Sequence, residues 1–298
     1  DNPEQRLIFI NAWNEWAEGA HLEPDERYGF AYLEATRLAL VRKTAEDSPQ
    51  APNRKHLIAV VLHAFYEEVF DEILGYLNKI HSVPLKLYVT APIEMLESIQ
   101  SKLQQHQYDF HLMPVSNRGR DILPFMKIMP DVLKGGHDLF IKVHTKKSVH
   151  RNDGDLWRKD IFRKLLTDQA ITANIDYLAK NPEIGILGPT DHIVPMGLFF
   201  GSNALRVKQL AARMGVEIDA LKNLNFVAGT MFMAHTKTML QLMNTAISES
   251  DFEIEASQID GTLAHAIERV FSVSAYSIGL KVSSPDNKVT KNYQFTKK

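Results

Sequence analysis

Two short runs hold the residue types best suited to chemistry. Asn117-Arg-Gly-Arg-Asp121 follows the apolar stretch Phe110–Val115, and His144-Thr-Lys-Lys147 follows Leu139–Val143. Each is a basic, polar cluster at the end of a buried strand, which suits an anion, with the diphosphate of an activated sugar as leading candidate. Guanidinium forks at Arg118 and Arg120 match phosphate oxygens bidentately. Gly119 between them permits a tight turn and a close backbone approach. Asp121 is placed to cap the following helix or to accept a hydrogen bond from a nucleotide. Lys146 or Lys147 can neutralise leaving-group charge as a point cation, and His144 can hydrogen-bond a phosphate or a sugar. Lys142, inside its strand, faces either solvent or the cleft. The competing reading is a solvated helix start and a surface charge run whose partners are internal.

Further groups lie downstream. Asp260 stands near the start of a helical stripe that includes Leu263, Ile267 and Val270. A carboxylate there can deprotonate a hydroxyl if it faces the cleft, or can simply meet the backbone donors of the helix. His265 reaches the same general face, and Glu268 reads as solvated or arginine-paired. Ala228-Gly-Thr230 precedes a strand and can admit a substrate against bare backbone. Trp157 is either a platform for a sugar or an anchor for its helix. His144, His150, Asp153 and Asp155 could be gathered around a metal, but their spacing fits no familiar pattern. Near the start, Trp13-Asn-Glu15-Trp16 and Glu18 place aromatics beside carboxylates, as a glycoside cleft needs. One strand and one helix do not make a cleft alone.

Strands and helices must alternate to hold these groups. Apolar strands are predicted at 56–63, 85–90, 110–115, 139–143, 184–187 and 230–234. Helices are predicted at 69–80, 95–104, 122–133, 161–166, 169–180, 205–214, 238–245 and 258–271. Short apolar strands between helices imply an α/β domain with a mostly parallel sheet covered on both faces. Ligands of such sheets sit beyond the strand C-termini, which brings Asn117–Asp121 and His144–Lys147 to one edge. Before this domain come a strand at 7–10, a helix at 33–41 and the proline-bearing linker 46–55. The boundaries read as 1–45, 46–55, 56–282 and a polar tail, 283–298, expected on the surface.

Composition narrows the partners. A net charge of −2 gives no general attraction to nucleic acid. The absence of cysteine removes disulfides, thiol nucleophiles and thiolate metal sites. No apolar run approaches the roughly 20 residues of a spanning helix. The chain opens on Asp1-Asn-Pro without a methionine, as expected of a piece of something longer.

Residues 56–281 resemble the rhamnan synthesis protein F family of polysaccharide biosynthesis. The resemblance rests on Asn117-Arg-Gly-Arg-Asp121, Lys142-Val-His-Thr-Lys-Lys-Ser148, Gly185-Ile-Leu-Gly-Pro189, Ala228-Gly-Thr-Met-Phe232 and Gln258-Ile-Asp-Gly-Thr-Leu-Ala-His-Ala-Ile-Glu-Arg269. Residues 7–40, with Asn11-Ala-Trp-Asn-Glu-Trp-Ala-Glu18 and Leu22-Glu-Pro-Asp25, resemble the closing portion of a WbsX-like glycosyltransferase domain, itself similar to a (β/α) barrel. The order of pieces is also similar to the GT-A fold of nucleotide-sugar transferases. There the strand equivalent to Leu139–Val143 ends in two metal-holding aspartates, and here it ends in His144-Thr-Lys146.

The resemblance implies an inverting glycosyltransferase that uses a nucleotide diphospho-sugar, with dTDP-rhamnose as one candidate donor and a hydroxyl of a cell-surface glycan precursor, free or lipid-linked, as acceptor. By this likeness Asp260 is the general base, with Glu255 as fallback, while His144 and Lys146 assist the departing diphosphate. Asn117, Arg118, Gly119, Arg120, Asp121, Lys147, Gly229 and Thr230 would hold the donor. No cofactor is required on this reading, and a manganese or magnesium ion is left open. The expected location is cytoplasmic, with peripheral membrane association through other domains or partners. Two alternatives stand beside it: a non-catalytic carbohydrate-binding or scaffolding module of a multidomain synthase, and a hydrolase using Glu15 or Glu18.

Overall fold

The computed structural model describes residues 12–25, 32–33, 36, 57–146, 154–256 and 258–291. The chain divides into two compact units, Asp1–Arg54 and Lys55–Lys298. In the first, β1 (Asn14–Glu15) pairs antiparallel with β2 (Ala20–His21) around a turn closed by Gly19 at φ +68°. Trp16 stacks on His21 with ring centroids 4.1 Å apart and donates from its indole to Glu23. Glu15 and Glu18 are exposed on this hairpin. The strand predicted at 7–10 and the linker lie outside the described residues, as does most of the helix predicted at 33–41.

The second unit is built on a seven-stranded sheet. Its strands are β3 (Ile58–His63), β4 (Leu85–Pro92), β5 (Phe110–Val115), β6 (Leu139–His144), β7 (Ile184–Leu187), β10 (Phe232–His235) and β11 (Lys281–Ser283), in the order β11-β7-β10-β6-β3-β4-β5. Four neighbour pairs are parallel, while β10 runs antiparallel to both β6 and β7. The sheet is mostly parallel, as expected, with β10 as its single reversed strand. A short ribbon of β8 (Ile193–Pro195) and β9 (Asn225–Val227) stands apart from it.

Alternation along the central strands divides the core into two layers. Ala59, Val61 and Phe140 pack with α3 (Ile122–Lys134), α6 (Ala204–Arg213) and α8 (Leu263–Tyr276). Ile58, Val60, Leu62, Ile141 and Val143 pack on the other face with α1 (Glu67–Leu77), α2 (Leu96–Gln105), α4 (Gly154–Leu166) and α5 (Asp168–Lys180). Both faces being covered, β3 and β6 read as nearly continuous apolar runs rather than alternating ones. A one-turn α7 (Leu240–Met243) follows β10.

Two boundaries differ from expectation for physical reasons. The long helix starts at Leu263, five residues later than predicted. Thr262 is its N-cap, accepting from the His265 amide, while the His265 ring reaches back to the Thr262 amide. Asp260 therefore lies in the loop before the cap. The polar tail does not begin at 283: Ser283 and Ser284 are buried, and Thr290 donates its amide to the Ile193 carbonyl. Short polar strands such as Lys281–Ser283 carry no periodic signal, and backbone pairing holds them. Among the described residues, no helix is long and apolar enough to cross a membrane.

Candidate active site

The site begins with the chain reversal around β3. From β3 the chain passes to β4 and β5 on one side, then crosses back to place β6 on the other side of β3. Such a switch point leaves a crevice outside the strand C-termini. His63 and His144 are register partners at this edge, the last residues of β3 and β6.

Asp121 is the centre of the polar cluster. It occupies the N-cap position of α3 but makes no side-chain cap hydrogen bond. It turns inward instead. Its Oδ2 accepts from the Lys142 ammonium at 2.5 Å and from the Thr230 hydroxyl at 2.6 Å. Lys142 is only 1% exposed, so it faces neither solvent nor an open cleft, and its ammonium lies 5.3 Å from the Phe125 ring centroid. Burial alone would raise the Asp121 carboxyl. Its neighbours His144, Lys142 and Thr230 outweigh that effect and hold it well below the usual carboxylate range. Burial pushes the Lys142 ammonium down, against the attraction of Asp121 and Glu268.

His144 is buried and neutral at physiological pH. Its Nε2 lies 3.0 Å from the Gly229 carbonyl, which can only accept, so that nitrogen carries the proton. Nδ1 accepts from the Lys146 amide at 3.2 Å. Burial, aided by nearby Lys142 and Lys146 and opposed by Asp121, lowers the imidazole to about 4. Gly229 is held from both sides, because its amide also donates to Glu268 at 2.8 Å. Its φ is +86°, and an added Cβ would sit 2.5 Å from the Trp157 ring. Trp157 thus covers the strip of backbone before β10. Thr230 also has positive φ, at +56°, a strained conformation for a branched residue.

The remaining expected residues fall around this centre with different degrees of freedom. Arg118 is engaged by the chain itself, its guanidinium donating to the Phe252 carbonyl, with Nε at 2.8 Å. Gly119 at φ +65° is packed under Phe252 and Leu123. Arg120, also at positive φ, donates to the Gln258 carbonyl and sits 3.8 Å from Glu255, its backbone amide meeting the same carboxylate. Asn117 and Lys146 are exposed. Lys147, His150 and Asp153 lie outside the described residues, and Asp155 pairs with Arg158 at 2.8 Å. Among the described residues, no group of three or more His, Asp or Glu is arranged to hold a metal.

Asp260 lies at the rim. Its Oδ2 accepts from the Ser202 amide at 2.9 Å and its Oδ1 from the Asn203 side chain at 2.6 Å. Burial opposes ionisation, but these donors prevail and lower the carboxyl, so it is charged at neutral pH. His265 ties the rim to the centre. Burial brings it down to about 4, and it feels Arg120 and Lys146 as repelling charges and Glu268 and Asp260 as attracting ones. Arg120, Lys146, Asp260 and Glu268 thus all act electrostatically on one imidazole. Glu268, read from sequence as solvated or arginine-paired, pairs with Arg269 at 3.2 Å and also fixes Gly229.

Two members of the edge escaped sequence reasoning. His63 closes β3, with Nδ1 3.0 Å from the Thr90 hydroxyl, and Thr145 staples the β3–α1 connection. The available signal was a histidine ending an otherwise apolar strand. A cavity of about 320 Å³ lies elsewhere, beside the end of β7, lined by Lys164, Asn174, Gly188 and Pro189 among others.

The family model for rhamnan synthesis protein F matches residues 26–279, and that for glycosyltransferase WbsX matches residues 1–36. Two curated proteins from Xanthomonas campestris pv. campestris, from different strains and both described as uncharacterized protein WxcX, are 39% identical over 289 residues. The match takes in 96% of this chain and 39% of theirs, so the chain spans well under half the length of these relatives. Among solved structures, two described as 4-diphosphocytidyl-2C-methyl-D-erythritol synthase, one of them from Anaerococcus prevotii, align at TM-scores of 0.39 and 0.41. They are 12% and 11% identical, covering 80% and 81% of this chain and 95% of theirs. With a family model matching most of its length and relatives at this identity, the chain belongs to the rhamnan synthesis protein F family.

Proposed function

We propose that residues 56–282 form a GT-A-like glycosyltransferase domain that moves a sugar from a nucleotide diphospho-sugar to a glycan hydroxyl. Family membership supports a glycosyltransferase-like role in polysaccharide biosynthesis. The observation that carries the proposal is that the Arg120 loop is tied to the 258–260 segment while Lys146 follows β6 at the switch point, all within electrostatic reach of His265. dTDP-rhamnose is the first donor to try, and a lipid-linked or free glycan the acceptor.

In this reading Asp260 takes the proton of the acceptor hydroxyl as its oxygen attacks the anomeric carbon. The bond from that carbon to the diphosphate oxygen breaks, and the nucleoside diphosphate departs with the bonding pair. Arg120 and Lys146 face the charge that develops on it. His144, neutral, fixes Gly229 together with Glu268, beneath the Trp157 ring. Asp121, Lys142 and Arg118 hold the two loops in place. A low-pKa Asp260 is ionised, as a base must be, and correspondingly weak as a base. Leaving-group support therefore has to supply much of the rate. Metal dependence is part of the test.

Isothermal calorimetry with dTDP and UDP, each with and without manganese, tests the proposal. Nucleotide binding that is lost in Arg120→Ala supports it. Affinity for oligosaccharide alone supports the second reading, a carbohydrate-binding or scaffolding module. That reading is favoured by one observation: Arg118 and Lys142 are already engaged by the chain's own carbonyl and carboxylate groups.

A further inference from the structure

We infer that the crevice between the tips of β3 and β6 is the nucleobase subsite, with the Phe65 ring as its stacking surface and His63 Nε2 as its hydrogen-bonding group. The inference rests on the nucleotide reading above and adds to it residues outside both basic loops.

Three observations carry it. The first is rigidity. Thr145, following β6, accepts at Oγ1 from the Phe65 amide at 2.7 Å and the Tyr66 amide at 2.9 Å. Its own amide donates to the His63 carbonyl at 3.1 Å, and the Ala64 amide donates to Thr90 in β4 at 2.8 Å. Three neighbouring strands thus fix the connection at 64–66, so an aromatic carried there is pre-organised rather than ordered on binding.

The second is the condition of Phe65. It is half-buried and belongs to neither of the two apolar layers flanking the sheet. Its ring contacts are with His63, 6.4 Å between centroids, and Tyr66, at 5.0 Å edge to face. A phenylalanine at a strand tip, outside the core, in the crevice where α/β sheets bind ligands, leaves a flat apolar face for a planar ring.

The third is His63. Its Nδ1 is taken by Thr90, and its Nε2 has no hydrogen-bond partner among the described residues yet is not a sealed interior atom. The ring is held near the phosphate cluster, since Asp121, His144 and Lys142 all act on it electrostatically. Burial keeps it uncharged near neutral pH, with a value of about 4. It therefore offers a neutral polar edge, suited to a heterocycle, while the charge-bearing loops beside it suit a diphosphate.

The test uses calorimetry on the whole chain, wild type against Phe65→Ala and His63→Asn, with dTDP and inorganic pyrophosphate as probes. Asparagine can keep the hydrogen bond to Thr90 while lacking anything at the Nε2 position. Thermal melting establishes that each variant is folded. Phe65→Ala is expected to weaken dTDP by roughly ten- to a hundredfold, and His63→Asn by about tenfold, with pyrophosphate affinity within about twofold of wild type. If folded variants bind dTDP as the wild type does, or lose dTDP and pyrophosphate in equal measure, the subsite assignment is overturned while the nucleotide reading stands. A wild type that binds neither dTDP nor UDP removes both.

Discussion

Consider what acid should do to His144. In the folded chain its imidazole is buried, 2% exposed, and titrates at about 4, whereas an unfolded chain has the ordinary value of 6.5. Burial is the main cause, with Lys142 and Lys146 adding to it. Below pH 6.5 the unfolded state takes up a proton that the folded state refuses. The sign follows: the contribution to stability is complete above pH 6.5 and falls away as pH drops toward 4. At pH 5 this one residue should cost about 2 kcal/mol relative to neutral pH. His144→Gln removes the titration while leaving an amide able to donate to the Gly229 carbonyl. Urea denaturation at pH 7.5 and pH 5.0, followed by far-UV circular dichroism, measures the difference. His63 and His265, also lowered to about 4, are present in both proteins and largely cancel. The wild type should lose about 2 kcal/mol more than the variant over this interval. Equal losses would refute the assignment of His144 as a neutral, buried hydrogen-bonding residue.

Three other outcomes are expected. Lys142→Met strands the Asp121 carboxylate in the interior and should cost about 3–5 kcal/mol, while adding Asp121→Asn should recover much of it. Strictly additive denaturation midpoints in that cycle would mean the pair is not coupled. Gly229→Ala combines a φ of +86° with a collision against Trp157, so it should cost at least about 1–3 kcal/mol and lower the melting temperature by several degrees. An unchanged melting curve would show that the packing of Trp157 on this backbone does not hold in solution. Asp260→Asn should reduce sugar transfer by about a hundredfold or more with dTDP affinity nearly unchanged, and full activity in a folded variant would remove Asp260 as the base.

The sheet was legible in the sequence wherever burial on both faces left an uninterrupted apolar run. Ile58–His63 and Leu139–His144 are examples, and the shared direction of β5 and β6 is what places both basic loops on one edge. The inward turn of Asp121 was not legible. Lys142 looked like a lysine facing solvent or a cleft because its partner lies 21 positions away on a different element. The helix start was misjudged because the reciprocal cap uses His265 where the familiar pattern has Glu or Gln. That same error put Asp260 inside a helix, whereas it grips the 201–203 loop. Arg118 and Arg120 look equivalent by composition. Only the fold shows that each is engaged by a different backbone carbonyl, Phe252 for Arg118 and Gln258 for Arg120.

The reversal of β10 has a practical consequence. Neighbouring strands deliver their residues to the crevice as they finish, whereas β10 brings Gly229 and Thr230 there before it has begun. Its exit, at His235 and Thr236, emerges at the far rim beside Asp138. That exit is pinned by backbone and hydroxyl hydrogen bonds from Thr236 to His137 and Asp138, a full strand's remove from Gly229. The approach to β10 has little latitude either, because Gly229 meets the tryptophan above it and the Glu268 carboxylate, and Thr230 meets Asp121.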